Sequence, residues 1–223
     1  MDLQALSVTL RLAAVTTAIL LALAIPLAFW IVTTRSRLRA AVEAVTTLPI
    51  LLPPTVLGFY LLVLLGPRTS LGRAWIHLTG HPLAFTFSGL VVGSIIYSLP
   101  FAVQPIVAGF SSVDNALIEQ ARLLGASRFR LLRSVLVPLS TRSIGAAALL
   151  VFTHTIGEFG VVLMVGGDIP GATRTLSIAI YDQVQDFAYA AANRTALLLV
   201  FISITSLILL YAWRGAYAGA HHE

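Results

Sequence analysis

Residues 114–142 read DNALIEQARLLGASRFRLLRSVLVPLSTR and form the longest polar interval of a 223-residue chain that is otherwise built of apolar runs. Asp114 can cap a first short helix, Gly125 can end that helix in a left-handed conformation, and Ser127 can cap a second helix. Spacings of three and four residues predict an apolar stripe on the first helix: Leu117, Ala121 and Leu124. The interval is therefore predicted to be a pair of short helices whose apolar stripe needs a partner.

The composition indicates a membrane protein. Hydrophobic residues make up 58% of the chain and charged residues only 10%, with a mean hydropathy of +0.93. So much apolar surface cannot be covered in water, and the bilayer must act as part of the solvent. The net charge is +5, but the arginines lie between apolar runs without interleaved aromatic residues, which argues against nucleic-acid binding. The absence of cysteine excludes disulfides and thiolate metal sites.

Five apolar runs predict five transmembrane helices, because each is long enough to cross a hydrocarbon core at about 1.5 Å per residue. The runs cover residues 12–32, 44–65, 83–110, 143–167 and 195–213. The second run contains Pro49, Pro53 and Pro54, which cannot all lie inside a regular helix, so we expect a kinked or interrupted helix there. Backbone groups freed at that point either line a pathway or mark a packing kink.

The arginines between the runs predict the orientation. With residues 114–142 in the cytoplasm, nine arginines fall on the cytoplasmic side and five outside, as the positive-inside rule requires. The N-terminus is then outside and the C-terminus inside. The charged segment 168–194 lies outside, with a turn at Ile169-Pro170-Gly171 and a helix near residues 176–184.

The polar interval resembles the EAA motif, E-A-A-x3-G-x9-I-x-L-P, of the membrane subunits of bacterial ABC importers. The matching positions are Glu119, Gln120, Ala121, Gly125, Val135, Val137 and Pro138. Glutamine replaces one alanine of the motif, and two valines replace its isoleucine and leucine. The resemblance implies a type I ABC importer (MetI-like) transmembrane bundle of about five helices, with six in some relatives. It also implies that residues 114–137 are a coupling loop that docks on an ATPase, whereas the pattern alone also allows an amphipathic linker on the membrane surface.

Three further stretches are similar to molybdate permease subunits of this importer family. They are residues 48–58 (LPILLPPTVLG), Gly157-Glu158-Phe159-Gly160, and Ile169-Pro170-Gly171 followed by residues 173–176 (TRTL). Sulfate and thiosulfate permeases share the Gly-Glu-Phe-Gly and Ile-Pro-Gly elements. The resemblance therefore implies molybdate as the transported ion, with sulfate, thiosulfate or tungstate as alternatives, and a re-entrant external scoop loop at residues 168–194.

The resemblance also implies the partners. The chain has no G-x-x-x-x-G-K-[ST] phosphate loop, so ATP and magnesium are expected on a separate cytoplasmic ATPase subunit, present in two copies. We expect no cofactor and no catalytic residue in this chain. The family arrangement further implies a homodimer in the bacterial cytoplasmic (inner) membrane, served by a periplasmic or tethered oxyanion-binding protein.

Glu158 is the one charged residue of the fourth apolar run, and an ionisable residue inside a span is a functional candidate by default. His154 lies four residues earlier and could contact it on a helix. The pair could relay protons or could be structural. A carboxylate facing an anion pathway would repel the cargo, so the structural role is favoured.

A dianion cannot cross bare hydrocarbon, so the pathway must be hydrated or lined by hydroxyl and backbone donors. The hydroxyl candidates are Thr55, Ser94, Ser98, Thr153 and Thr155. Each could instead make an ordinary interhelical hydrogen bond. His77 and His81 are four residues apart but have no third ligand, so we predict no metal site.

Two other functional classes compete with the importer. An ion-coupled secondary transporter is disfavoured by the EAA-like motif and by the lack of visible internal repeats. An intramembrane enzyme would need a converging nucleophile or metal set, which only Glu158 and His154 approach.

Overall fold

The computed structural model describes residues 2–216, and every regular element among them is helical. In chain order the α-helices are α1 (Leu3–Thr33), α2 (Leu38–Leu51), α3 (Pro54–Leu64), α4 (Ser70–Thr79), α5 (Phe87–Ser111), α6 (Asn115–Leu123), α7 (Arg128–Leu131), α8 (Val137–Leu139), α9 (Thr141–Gly157), α10 (Gly160–Gly166), α11 (Leu176–Gln185) and α12 (Tyr189–Ala216). A π-helical turn, Leu132–Leu136, joins α7 to α8. Segment 217–223, with the predicted cytoplasmic C-terminus, lies outside the described residues.

Three helices are long and apolar enough to cross a membrane: α1, α5 and the part of α12 from Tyr189 to Leu209. Two bent helix pairs raise the number to five if each pair counts as one span. These pairs are α2 with α3, which meet at 113°, and Arg128–Leu139 with α9, which meet at 77°. The all-α membrane fold with about five spans is thus confirmed, but two of the spans are broken.

The break between α2 and α3 lies where the three prolines predicted an interruption. Leu52 and Pro53 each precede a proline, and their backbones are extended, with ψ angles of 140° and 134° respectively. A residue before proline is disfavoured in the α region, so the helix must stop and restart at Pro54. The predicted run 44–65 is therefore two helices, and the first of them begins earlier, at Leu38.

The first helix begins at Leu3, nine residues before the predicted span. Asp2 caps it by accepting a hydrogen bond from the Ala5 backbone N–H at 2.9 Å. Arg11 is accommodated inside the helix because its guanidinium lies over the Phe87 ring, 5.3 Å from the centroid.

The main core is formed by α1, α5 and α9, which pack on one another. Its fully buried members are mostly small or branched: Leu20, Ala24, Ala28, Ile31, Ala102, Val103, Ile106, Phe110, Leu136, Ala147 and Val151. Small residues allow the helix backbones to approach closely, as is usual in membrane bundles. At Gly109 an added Cβ would lie 2.4 Å from the Cβ of Ser143, so only glycine fits between α5 and α9.

The predicted fourth run, residues 143–167, is also divided. Helix α9 ends at Gly157, and Glu158 and Phe159 leave the helical path before α10 begins at Gly160. Helix α10 packs against α3 and α5. At Gly160 an added Cβ would lie 2.6 Å from the Cβ of Pro54, so this glycine permits the contact between the two helix breaks.

The loop after α10 follows the predicted outline. Gly171 has a φ of +72°, as expected of the glycine in the Ile-Pro-Gly turn, and α11 covers the predicted helical stretch. Thr175 caps α11, and the Leu176 backbone N–H donates to Thr9 Oγ1 of α1 at 2.9 Å. The loop is thereby fixed to the first helix.

Candidate coupling loop and intramembrane polar site

The local structure of the candidate coupling loop, residues 114–137, agrees with its sequence signals. Asp114 accepts a hydrogen bond from the Ala116 backbone N–H at 2.8 Å, and Ser127 accepts one from the Arg130 backbone N–H at 3.3 Å. Gly125 has a φ of +78°, which L-residues rarely adopt. Local capping chemistry therefore creates two short helices separated by a left-handed turn.

The apolar stripe of α6 is largely uncovered. No residue of α6 is buried, and the exposed fraction of the side chain is 45% for Leu117 and 86% for Leu124. Leu123, which the predicted stripe omitted, is 88% exposed. Ile118 is the apolar residue of α6 that packs against the main core. Exposed leucines on a polar loop form a surface suited to a partner.

The rest of the EAA-like motif divides between surface and core. Glu119, Gln120 and Gly125 are exposed, and Ala121 is half-buried. Val135 packs beside Leu136, which is fully buried in the main core, whereas Pro138 is exposed. The motif thus has one outward-facing part on α6 and one part that anchors the loop to the bundle.

The π-helical turn before Pro138 has a covalent cause. Pro138 has no N–H for the Ser134 carbonyl, and its ring would clash with that carbonyl in a regular helix. The wider turn places the Val137 N–H on the Leu132 carbonyl. The chain then bends by 77° into α9, so the loop joins the bundle through a sharp bend between two helices. Helix α9 begins at Thr141, two residues before the predicted fourth run.

Glu158 lies at the break between α9 and α10 and is 4% exposed. Its Oε2 accepts a hydrogen bond from Ser94 Oγ of α5 at 2.9 Å. Its Oε1 has no hydrogen-bond partner among the described residues. A buried carboxyl with one unpaired oxygen is costly, so the site holds unused hydrogen-bonding capacity at membrane depth.

His154 is bound by a different part of α5. Its Nδ1 is 3.0 Å from Ser98 Oγ, which also lies 3.3 Å from Thr155 Oγ1. The imidazole stacks on Phe101 with a centroid distance of 4.1 Å. Because α9 ends at Gly157, Glu158 leaves the helical register that would bring it over His154. The two residues of the predicted pair therefore bond to different serines, Glu158 to Ser94 and His154 to Ser98. The sequence did not predict the two aromatic neighbours of His154, Tyr97 and Phe101.

The hydroxyl candidates fall into two groups. Ser94, Ser98 and Thr155 are buried and bonded between helices. Thr55 is exposed at the start of α3, and Thr153 Oγ1 is buried without a hydrogen-bond partner among residues 2–216. Thr153 lines a cavity of about 160 Å³ with His154 and Leu207. The five hydroxyls are thus not gathered around one opening in a single chain.

The described residues contain no group of three side chains that could hold a metal ion. His77 and His81, which are both exposed, belong to α4 and to the turn after it.

The segment from Asp168 to Asp182 contains an ionic cluster that the sequence analysis missed. Arg174 donates two hydrogen bonds to the Asp168 carboxylate, through Nε and Nη2, and its Nη2 is also 3.1 Å from Asp182 Oδ2. Hydrogen bonding to Arg174 lowers the pKa of Asp168, whereas the adjacent Asp168 carboxylate raises the pKa of Asp182 to about 6. Opposite charges in one polar loop were visible in the sequence, but the fold was needed to join them.

Comparisons with known proteins agree with this architecture. Residues 14–218 match the family described as "Binding-protein-dependent transport system inner membrane component". The chain is 47% identical over 218 residues to the molybdenum transport system permease protein ModB of Azotobacter vinelandii, covering 98% of this chain and 96% of that protein. It is 30% identical over 174 residues to the sulfate transport system permease protein CysT of Escherichia coli (strain K12), covering 78% of this chain and 61% of that protein.

A solved structure shares the fold. The crystal structure of a bacterial ABC transporter that imports the acidic polysaccharide alginate aligns with a TM-score of 0.74 at 18% identity, covering 99% of this chain and 80% of that chain. The helical bundle, the broken spans and the family match lead to one conclusion. The chain belongs to the family of inner membrane components of binding-protein-dependent transport systems.

Proposed function

We propose that this chain is the membrane permease of an ATP-driven importer that carries molybdate. The observation that carries the proposal is the coupling loop, whose leucines are exposed on α6 while its two ends are fixed in the main core. Such a loop can receive a push from a partner and pass it to the bundle. The 47% identity to a molybdenum permease over nearly the whole chain supports molybdate as the cargo.

The path of the coupling can be followed through the fold. Force on α6 reaches α5 through Val113 and Phe110 on one side, and it reaches α9 through Leu136 on the other. Since α5 and α9 pack tightly through Gly109, we expect them to move as a unit. The break at Glu158 is where such a movement would be absorbed, because the helix is already interrupted there.

The proposed partners follow from this arrangement. A separate cytoplasmic ATPase subunit, in two copies, binds ATP and magnesium and takes up the two coupling loops of a homodimer. This chain does not itself hydrolyse ATP. A binding protein delivers the oxyanion outside, and closure of the ATPases turns the paired bundles from inward-open to outward-open. The coupling loop and the C-terminus lie in the cytoplasm, and the N-terminus lies outside.

The proposed pathway passes the break between α2 and α3. Pro53 and Pro54 have no N–H to offer the carbonyls of Pro49 and Ile50, and α3 begins there with its positive dipole end and the exposed Thr55. Backbone groups of this kind can replace the water around an anion. Ser94, Ser98 and Thr155 are already occupied between helices, which favours a structural role for them.

Sulfate is the second candidate cargo, favoured by the 30% identity to a sulfate permease. Sulfate and molybdate are both tetrahedral dianions, so the same donors could serve either ion.

Reconstitution tests the proposal. The chain, its genomic neighbour ATPase and binding protein are placed together in proteoliposomes, and labelled molybdate uptake is measured with and without ATP. We expect accumulation that requires ATP and all three components. Uptake driven by an ion gradient without the ATPase would replace the importer with a secondary transporter.

A further inference from the structure

The cavity between the end of α1 and the coupling loop has a basic lining. It has a volume of about 470 Å³ and is lined by Phe29, Trp30, Thr33, Thr34, Arg35, Arg122, Ala126, Arg128 and Leu131. Three of these nine residues are arginines and none is acidic. The cavity joins three parts of the chain, because Arg35 follows α1, Arg122 belongs to α6 and Arg128 begins α7.

The three guanidinium groups have no carboxylate partner among residues 2–216. The carboxylates that form ion pairs there belong to other arginines: Glu43 pairs with Arg39, and Asp168 and Asp182 pair with Arg174. The three arginines are exposed, and three positive charges around one cavity create a potential that favours an anion there. Each guanidinium offers a planar set of donors that matches the oxygens of a phosphate group.

The other walls of the cavity indicate where this anion comes from. Trp30 and Phe29 lie in the last turns of the apolar helix α1, and Trp30 is half-buried. Tryptophan is typical of the boundary between hydrocarbon and head groups, and basic pockets beside spans on the cytoplasmic side hold anionic lipid head groups. An aromatic wall next to arginines suits a ligand that has both an acyl chain and a phosphate.

We propose that this cavity binds one phosphate-type oxyanion, supplied by the head group of an anionic phospholipid, and that Arg35, Arg122 and Arg128 hold it. The bound head group ties the end of α1 to the coupling loop. The inference goes beyond the transport of molybdate and does not depend on which ion is carried. Inorganic phosphate is the alternative source of the same chemistry.

Lipid binding to the purified full-length chain in neutral detergent tests the proposal by native mass spectrometry. The probes are phosphatidylglycerol, phosphatidylcholine and inorganic phosphate. We expect phosphatidylglycerol to bind at least about tenfold more tightly than phosphatidylcholine, because only the former carries net negative charge. Phosphate that displaces phosphatidylglycerol at equal concentration would assign the same site to a free ion.

Variants locate the site. Arg35→Gln with Arg122→Gln is expected to weaken phosphatidylglycerol binding about tenfold or more, since each removes charge-assisted hydrogen bonds. Arg128→Gln alone, at an exposed position, should also weaken phosphatidylglycerol binding. Arg37→Gln is the matched control, because Arg37 is exposed in the same linker but does not line the cavity. Equal binding of the two lipids, or unchanged binding in both cavity variants, would overturn the proposal.

Discussion

At the scale of single residues, hydrogen bonds between helices decide where the polar groups of the membrane interior lie. Ser94 and Glu158 are 64 residues apart in sequence and bond at the break after α9. Their pairing could not be predicted, because periodicity indicates which face of a helix a residue occupies but not which helix lies opposite. By contrast, Asp114, Gly125 and Ser127 were predictable, since caps and left-handed turns depend only on neighbouring residues.

Removing the Ser94 hydroxyl should destabilise the bundle. Ser94→Ala leaves both oxygens of the Glu158 carboxyl without a donor, and we expect a loss of about 1–2 kcal/mol in unfolding free energy. Glu158→Gln should cost less, because an amide oxygen can still accept from Ser94. Unfolding in detergent micelles measures both. Ser111→Ala, at the exposed end of α5, serves as the control and should have little effect. A Ser94→Ala protein that unfolds like the unchanged chain but transports nothing would instead assign the site to the pathway.

The ionic cluster of Asp168, Arg174 and Asp182 predicts a pH dependence. The raised pKa of Asp182, about 6 against an ordinary 3.8, means that its contribution to stability is present at low pH and is lost as the pH rises through about 6. The lowered pKa of Asp168 has the opposite sign, so its contribution is present above its ordinary pKa of 3.8 and is lost as the pH falls below it. The cluster should therefore be most stabilising near pH 4, and its contribution should decline as the pH rises from there through about 6.

Thermal unfolding at pH 5 and pH 7.5 checks this expectation. We expect the unchanged protein to gain stability from Asp182 when the pH falls from 7.5 to 5. Asp182→Asn should abolish this contribution. Glu43→Gln removes a carboxylate that binds Arg39 on the exposed surface of α2, and it should leave the pH difference unchanged. The same pH difference in the Asp182→Asn and unchanged proteins would show that the cluster does not titrate in this way.

At the scale of elements, the short helices α6 and α7 are preformed by local caps and leave leucines uncovered, and we propose that this loop docks on the ATPase. The sequence predicted its two helices and the need for a partner, because both follow from local spacing. It did not predict the π-helical turn or the 77° bend, which arise where Pro138 meets the packing of Leu136 in the core. The divided second span was predictable from its prolines, whereas the division at Glu158 was not, since residues 143–167 contain no proline.

A charge on the docking surface should uncouple transport from ATP hydrolysis. Leu124→Asp places a carboxylate at a position that is 86% exposed, so we expect the chain to fold normally. Burying that carboxylate against the ATPase would be costly. We expect at least a tenfold loss of ATP-dependent uptake with normal amounts of protein in the membrane, corresponding to about 1.4 kcal/mol or more.

The control for this change lies on another exposed helix. Leu78 of α4 is 84% exposed, and Leu78→Asp should retain uptake because α4 belongs to the predicted external loop. Equal uptake in the Leu124→Asp and unchanged proteins would remove α6 from the ATPase interface.

At the scale of the whole molecule, the helices of the bundle differ in how much of their apolar surface is buried. Half of the apolar window of α5 is buried, against 17% of that of α12, so α5 is central and α12 faces lipid or a second copy. Composition was enough to predict a membrane protein, because 58% hydrophobic residues cannot be covered in water. The sequence could not locate the pathway, since the partners of the candidate hydroxyls depend on how the helices meet in space.

The most direct test of the account is uptake of labelled molybdate in cells that lack their own molybdate and sulfate importers and that receive this chain with its neighbouring ATPase and binding protein. The account predicts ATP-dependent molybdate uptake that persists in excess sulfate. Preferred uptake of sulfate would contradict the proposed cargo, and the absence of ATP-dependent uptake of either ion would contradict the proposed importer.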